Sequence, residues 1–126
     1  MKKILLFISI TFLFSLCCFS QNKDTIVAGK CYNYSSSSDS LITFGNYIEN
    51  KKSGDWLYLY PNGVIRKKGK FKNNKETGLW EYYTDKGVLH TKGNFKRGKM
   101  VGKWYGILGG HVDKYRNGKK ISHTDY

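Results

Sequence analysis

Apolar and polar residues alternate in the middle of the chain with the periodicity of β-strands. Every second residue from Leu89 to Phe95 falls on one side of an extended segment. The dipeptides Asn62-Gly63 and Lys86-Gly87 stand where a tight turn requires a positive φ. The alternation and the turn signals together predict short strands joined as hairpins.

The same arrangement of residues recurs every 24 positions, with copies that start at Gly45, Gly69 and Gly93. In each copy an aromatic residue follows two positions after the leading glycine, and a second glycine precedes a tryptophan by two positions. These residues are Tyr47, Phe71 and Phe95, then Gly54, Gly78 and Gly102, and finally Trp56, Trp80 and Trp104.

The repeat predicts the fold class. A period in the twenties is typical of an architecture in which each unit is one supersecondary element and neighbouring units bury each other's faces. The unit is too short for two packed helices, so we interpret each copy as a β-hairpin. We therefore predict an all-β protein, a single-layer antiparallel β-meander built from 24-residue β-hairpin repeats. Glycines that face the aromatic residues should leave room for a ring to lie against the backbone.

Residues 44–118 resemble the bacterial variant of the MORN repeat, whose units contain a glycine, an aromatic residue, a short polar turn, the motif G-x-W, tyrosines and a turn glycine. The units that start at Gly45 and Gly69 fit this description closely. In the third unit Gly109 and Gly110 replace the expected turn and His111 replaces the turn glycine, so this unit is either a full repeat or a terminal cap. The resemblance implies an elongated antiparallel sheet that contacts proteins or membranes, and it implies no chemistry.

Residues 1–20 have the layout of a secretory signal peptide. Two lysines precede an apolar core at residues 4–16, and small residues precede a cleavage site that we place after Ser20. The apolar run is short for a membrane span. A lipoprotein would keep Cys17 or Cys18 as a lipidated first residue, but neither follows the usual small residue, so a lipid anchor is not favoured. We expect an exported protein in the periplasm, the cell envelope or the extracellular space.

Removal of residues 1–20 leaves 106 of the 126 residues, enough for one domain. We assign residues 21–44 to an amino-terminal cap with a serine-rich loop, 45–118 to the repeats and 119–126 to a carboxy-terminal tail. Asn117-Gly118 offers one more hairpin turn, and residues 122–126 are either frayed or a final edge of the sheet. Cys31 is then the one remaining cysteine, which excludes an internal disulfide in the mature chain and a metal site made of cysteines. A buried thiol is the simpler interpretation of Cys31, and pairing between two chains is the alternative.

Residues that would carry catalysis are scarce. The three histidines, His90, His111 and His123, share no metal-ligand spacing. The chain has only nine acidic residues and no G-x-S-x-G sequence, and its glycines do not precede a helix as a phosphate-binding loop requires. We therefore predict a protein that is not an enzyme and has no cofactor or metal.

Positive charge is the main functional signal. The formal charge is +13, or +11 without Lys2 and Lys3, and a field of this size attracts acidic partners. Lys51, Lys75 and Lys99 occupy one position of the repeat, and two strands per unit would place them roughly 10 Å apart. A polyanion could contact several of these lysines, and the alternative is that they keep the sheet soluble.

Aromatic residues form a second stripe. In a single layer Trp56, Trp80 and Trp104 are better explained as the core than as a platform on which sugars or bases stack. Tyr60 and Tyr83 are out of phase with the tryptophans, which makes them better candidates for contact with a partner. Export makes nucleic acid an improbable natural ligand.

These features predict an exported, non-catalytic repeat module that binds a protein or an acidic surface, with Lys51, Lys75, Lys99, Tyr60 and Tyr83 as the candidate surface. One alternative is an inhibitor or antitoxin-type partner of a protein toxin, by analogy with proteins that carry similar repeats. The other is attachment to acidic lipid or to a cell-wall polymer, which follows from charge and export.

Overall fold

The computed structural model describes residues 25–27, 29–34 and 41–126 of the chain, which form ten β-strands. The strands are β1 Thr25–Val27, β2 Lys30–Tyr34, β3 Leu41–Ile48, β4 Lys51–Leu59, β5 Ile65–Lys72, β6 Lys75–Tyr83, β7 Leu89–Lys96, β8 Lys99–Gly106, β9 His111–Arg116 and β10 Lys119–Asp125. They pair antiparallel in sequence order in one sheet, so the predicted all-β meander of hairpins is confirmed. The predicted signal peptide and the serine-rich loop at 35–40 lie outside the described residues.

Each leading glycine of the repeat is the short side of a β-bulge. Within each hairpin, one glycine stands opposite three residues of the partner strand. The pairs are Gly45 with 54–56, Gly69 with 78–80, and Gly93 with 102–104. The first residue on each long side is the second glycine of the repeat, with φ between +65° and +68°. This left-handed backbone conformation lies inside a strand, and it directs the tryptophan two residues later towards the leading glycine.

The indole ring of each repeat lies against its leading glycine. A Cβ atom at Gly45, Gly69 or Gly93 would lie less than 3.0 Å from three atoms of the indole. The prediction that these glycines make room for a ring is therefore confirmed. Because the glycine backbone covers one side of the ring, the three tryptophans keep only 2%, 1% and 5% of their surface exposed, in the order Trp56, Trp80, Trp104.

A continuous row of aromatic rings completes the core on this face of the sheet, which we call the aromatic face. Successive rings meet edge to face at centroid distances of 5.0–6.2 Å, in the order Tyr47, Trp56, Phe71, Trp80, Phe95, Trp104, Tyr115. Tyr58 and Tyr82 pack on the other side of the tryptophans at 6.1–6.5 Å. The predicted core role of the tryptophans is thus confirmed, since edge-to-face contact adds to the stabilisation from burial.

Two lysines cover the rings from the solvent side. The Nζ of Lys52 lies 4.5 Å from the ring centroid of Trp56, and the Nζ of Lys67 lies 4.4 Å from that of Tyr58. Burial lowers the pKa of Lys67, and the nearby charges of Arg66 and Lys52 act in the same direction. The lysine stems therefore supply part of the cover that a second layer would give in a two-layer protein.

Strands β1 and β2 extend the sheet beyond the first repeat. Cys31 on β2 pairs with Gly45 on β3, where it is buried and its Sγ donates to the Oδ1 of Asn33 at 3.2 Å. The turn before β2 is tied to the first repeat by the amide of Tyr47, which donates to the carbonyl of Gly29 at 2.8 Å. Strand β3 begins at Leu41, so the first repeat strand starts before the boundary that the sequence suggested at residue 44.

The third hairpin is shorter than the first two. Trp56 pairs with Gly69 and Trp80 with Gly93, whereas Trp104 pairs with Asp113, only nine residues further on. Asp113 therefore takes the register position of a fourth leading glycine. The segment 119–126, assigned from the sequence to a tail, supplies strand β10, which pairs with β9 along its length.

Candidate binding margin

Four two-residue turns lie along one margin of the sheet. Both residues of each turn have positive φ, as a tight hairpin of this kind requires. The turns are Glu49-Asn50, Asn73-Asn74, Arg97-Gly98 and Asn117-Gly118. The glycines at 54, 78 and 102 lie outside these turns, because they belong to the bulges inside the strands.

The predicted lysines all lie at these turns. Lys51, Lys75 and Lys99 are each the first strand residue after a turn, and all three are exposed. Lys119 holds the same place after the fourth turn. The sequence indicates the fourth turn, because Asn117-Gly118 is a turn signal, but the lysine that follows it had been assigned to the tail.

Cations also stand on the other side of three of the turns. A two-residue turn places the residues that flank it directly opposite each other. The facing pairs are Lys72 with Lys75, Lys96 with Lys99, and Arg116 with Lys119, while Lys51 faces Ile48. We define the basic margin as these seven cations together with Arg97. Sequence reasoning missed Lys72, Lys96 and Arg116 because their position depends on the exact length of each turn.

No cation of the basic margin forms an ion pair with another of the described residues, although the carboxylate of Glu76 lines one recess of the margin together with Lys72, Lys75 and Arg97. Glu76 is adjacent to Lys75 in sequence, but it pairs across with Phe71 and so projects from the aromatic face, whereas Lys75 projects from the opposite face. Like charges that face each other across two strands destabilise a sheet. The margin thus combines high charge with an arrangement that opposes folding.

Recesses separate successive turns along the basic margin. One recess of about 390 Å³ lies between the second and third turns, and it is lined by Lys72, Lys75 and Arg97 together with the carboxylate of Glu76 and the polar residues Asn73 and Thr77. Another of about 330 Å³ lies between the third and fourth turns, lined by Lys96, Arg97, Lys99 and Asn117. Arg97 contributes to both. The turns therefore form a row of notches with hydrogen-bond donors on their walls.

Hydrogen bonds between neighbouring turns hold this margin in shape. The amides of Asn74, Gly98 and Gly118 donate to the carbonyls of Lys52, Glu76 and Met100 at 2.9–3.1 Å. The amide of Lys52 in turn donates to the Oδ1 of Asn74 at 2.7 Å. Each turn is consequently fixed to the hairpin before it, so the spacing of the cations is set by backbone contacts rather than by the lysine side chains themselves.

Tyr60 and Tyr83 lie at the opposite margin, which carries the longer loops. Both are half-buried. The Tyr60 hydroxyl donates to the carbonyl of Tyr83 at 2.9 Å, and the Tyr83 hydroxyl donates to the Oε2 of Glu81 at 3.0 Å. Lys75 and Tyr83 are the two ends of β6, eight residue steps apart, a distance of about 26 Å in a strand. The structure therefore gathers the predicted lysines at one margin and places the predicted tyrosines at another.

A lysine and a glutamate form an ion pair next to Tyr83, on the face opposite the aromatic face. Lys68 Nζ lies 3.1 Å from Glu81 Oε2. The hydrogen bonds that Lys68 donates to Tyr83 and Glu81 raise the pKa of Lys68, and the hydrogen bond from Lys68 lowers the pKa of Glu81. Beside these residues an open groove of about 780 Å³ runs past Tyr60, Arg66 and His90. This groove is the second candidate contact surface.

A polar cluster ends the row of rings at β9 and β10. The carboxylate of Asp113 contacts Lys120 Nζ at 2.9 Å and His123 Nδ1 at 2.5 Å. Hydrogen bonds from Lys120 and His123 lower the pKa of Asp113, and the bond with Asp113 raises the pKa of His123. The His111 ring lies 5.2 Å from that of His123. Within the described part of the chain no group of three or more His, Cys, Asp or Glu residues is placed to hold a metal ion.

Comparison with known proteins adds information on the fold. No known family profile matches the sequence, and no curated protein matches it. The crystal structure of the GtfA/B complex bound to UDP and GlcNAc matches with a TM-score of 0.52 at 7% identity, over 83% of this chain and 24% of that chain. TarM, and an S. aureus TarM mutant in complex with Fondaparinux, alpha-GlcNAc-glycerol and UDP, match with TM-scores of 0.43 and 0.44 at 17% identity.

This chain spans at most about a quarter of the length of the structures that it matches: 24% of the GtfA/B chain and 21% of each TarM chain. At 7% identity the GtfA/B match shows a shared fold, which is the antiparallel meander of hairpins. No helix among the described residues is long and apolar enough to cross a membrane.

Proposed function

We propose that this chain is an exported, MORN-type repeat module that binds an acidic partner through the basic margin and carries out no catalysis. The observation that carries this proposal is the set of three like-charged pairs, in which Lys or Arg faces Lys across a two-residue turn. A sheet selected for stability alone would place opposite charges at such positions. An acidic partner removes the repulsion when it binds, so the arrangement favours the bound state.

The rest of the molecule is consistent with this role. The backbone bonds between turns fix the cations before any ligand arrives, which reduces the entropy lost on binding. Residues 1–20 have the layout of an export signal, and an exported basic protein meets acidic lipids and acidic polymers of the cell envelope. A protein partner, including a toxin, is the alternative, and the groove beside Tyr60 and Tyr83 would be its contact surface.

Binding to two acidic probes tests the proposal. Phosphatidylserine vesicles and soluble inorganic polyphosphate should both bind the parent protein, and the affinity should fall as salt rises, because charge pairing releases counterions. The variant Lys51→Gln, Lys75→Gln, Lys99→Gln should bind vesicles roughly a hundredfold more weakly, since each cation at a lipid surface contributes about 1 kcal/mol.

A matched control removes three exposed charges elsewhere: Lys30→Gln, Arg66→Gln and Lys86→Gln. This variant has the same net charge as the first and keeps the basic margin intact, so it should lose much less affinity. Equal losses in the two variants would show that net charge alone governs binding. Absence of binding to both probes by the parent protein would overturn the proposal and favour a protein partner.

A further inference from the structure

We infer that the ligand of the basic margin is a linear anionic polymer that runs along the row of turns, rather than a flat membrane surface. This inference rests on the proposed function and adds the shape of the partner to it. It follows from three features of the margin, namely its length, its twist and its notches.

The cations form a line. From Lys72 on β5 to Lys119 on β10 the margin crosses five strand-to-strand steps, or about 24 Å at the usual spacing. Within this length lie three facing pairs and Arg97, and the turns that carry them follow one another every two strands, roughly 10 Å apart. A chain of regularly spaced anions can satisfy several of these cations at once, whereas a single small anion reaches one turn.

Twist is the second feature. Neighbouring strands in a sheet rotate on average by about 20–25°, so over the five steps from β5 to β10 we expect the direction in which the margin points to rotate by roughly 100°. A planar bilayer can then contact only part of the row, because cations at the two ends point in different directions. A flexible polymer can follow the rotation and contact every turn.

The notches supply places for individual anions. The walls of one notch carry Lys72, Lys75 and Arg97 beside one carboxylate, that of Glu76, and those of the other carry Lys96, Arg97 and Lys99, so Arg97 stands between the two. A polymer that passes from one notch to the next must pass this guanidinium. Arg97 therefore has a larger effect on a ligand that spans both notches than on one that fills a single notch.

Arg97 can be replaced without a change in the conformation of its turn. It has a φ of +52° in its turn, and the equivalent position is Asn73 in the second turn and Asn117 in the fourth. Asparagine tolerates this backbone conformation. Arg97→Asn should therefore remove the central cation and leave the turn intact, which a thermal melt verifies.

The test compares ligands of increasing length. Tripolyphosphate, polyphosphates of graded length, polyglutamate of matched charge and phosphatidylserine vesicles are titrated against the full chain at several salt concentrations. Affinity should rise with polyphosphate length until the polymer spans the margin and then level off. Arg97→Asn should weaken the long polymer by roughly fivefold, the effect of one surface cation, and lower its salt slope by about one, with a smaller loss for tripolyphosphate.

The possible outcomes are distinct. Comparable binding of polyglutamate and polyphosphate supports the inference, because the margin would then recognise a row of negative charges and not one polymer backbone. Equal affinity for tripolyphosphate and long polyphosphate overturns the inference, because one notch would then be the whole site. Vesicles that bind more tightly than any polymer also overturn it, while the proposed function survives. Failure of every probe to bind refutes the proposed function itself.

Discussion

The indole of Trp80 lies against the backbone of Gly69, so closely that a Cβ atom at position 69 would come within 3.0 Å of three ring atoms. We expect Gly69→Ala to destabilise the protein by about 1–3 kcal/mol or more, because the ring has to move out of a packed row. Urea unfolding followed by tryptophan fluorescence measures the change. A parent-like midpoint for Gly69→Ala would contradict this description of the core.

Gly78 provides the contrasting case, since a Cβ atom there meets nothing within 4 Å but the φ is +65°. Gly78→Val should therefore cost about 1–3 kcal/mol from backbone strain alone. Gly78→Asn should cost much less, because asparagine tolerates positive φ, whereas Gly69→Asn should be as harmful as Gly69→Ala. A large loss of stability in Gly78→Asn would indicate that the position is limited by space and not by its backbone conformation.

Trp80 and Trp56 differ in one hydrogen bond. The Nε1 of Trp80 donates to the carbonyl of Lys70 at 3.2 Å, while the buried Nε1 of Trp56 has no hydrogen-bond partner among the described residues. Trp80→Ala should cost about 3–5 kcal/mol, as expected for an indole with 1% exposure. Replacement by phenylalanine should separate the two sites by about 1 kcal/mol, with Trp80→Phe the more harmful. Thermal melts that place Trp56→Phe below Trp80→Phe would contradict this assignment.

The attachment of β10 should depend on pH through His123. Its bond to Asp113 raises the pKa of His123, so this stabilisation is complete below about pH 6.5 and is lost as the pH rises through the raised folded-state pKa. The pKa of Asp113 is lowered, chiefly by Lys120, so its contribution is present above about pH 4 and is lost on acidification. The attachment is therefore strongest between these limits.

The measurement is the difference in melting temperature between the parent and His123→Gln. This difference should shrink as the pH is raised from 6 towards 9. Asp125, Lys120 and His111 are the other charged or titratable groups around His123. The control is His90→Gln, which removes a histidine of β7, away from this cluster. A difference that stays constant over this pH range would show that His123 is held without its charge.

The facing cations should be replaceable with a gain in stability. Lys96 faces Lys99 across the third turn, so Lys96→Glu places opposite charges there. We expect this change to stabilise the sheet by about 0.2–1 kcal/mol. The gain should decrease at high salt, and binding to polyphosphate should weaken at the same time. Lys86→Glu changes the net charge equally at the opposite margin and should show neither effect. A destabilised Lys96→Glu would mean that the repulsion is already relieved within the fold.

Much of the fold could be predicted because the same pattern of residues occurs in three copies. Leading glycine, aromatic residue and tryptophan recur at fixed spacing, and each copy needs the same contact, so the hairpins and the aromatic core follow from the pattern. The bulges were missed because a glycine with positive φ inside a strand, such as Gly78, has the same sequence appearance as a turn glycine. That misassignment also concealed which cations face each other.

The last strand was predicted only as one of two alternatives for the tail. A shortening of four residues after Trp104 moves the frame, and the position that should hold glycine holds Asp113. The candidate site was predicted only in part, since Lys51, Lys75 and Lys99 share a frame position but the cations that face three of the turns do not stand out until the turns are known to contain two residues. Side-chain proximity across a turn depends on turn length, which composition alone does not determine.

Asp113 has a consequence for the size of the molecule. A single-layer sheet has no intrinsic point at which its core is complete, because each tryptophan requires a ring on both sides and a glycine beneath it. A carboxylate in the place of that glycine binds Lys120 and His123 instead of an indole. Duplication of an internal 24-residue segment would consequently lengthen the sheet by two strands, about 10 Å, and would leave the Asp113 cluster unchanged.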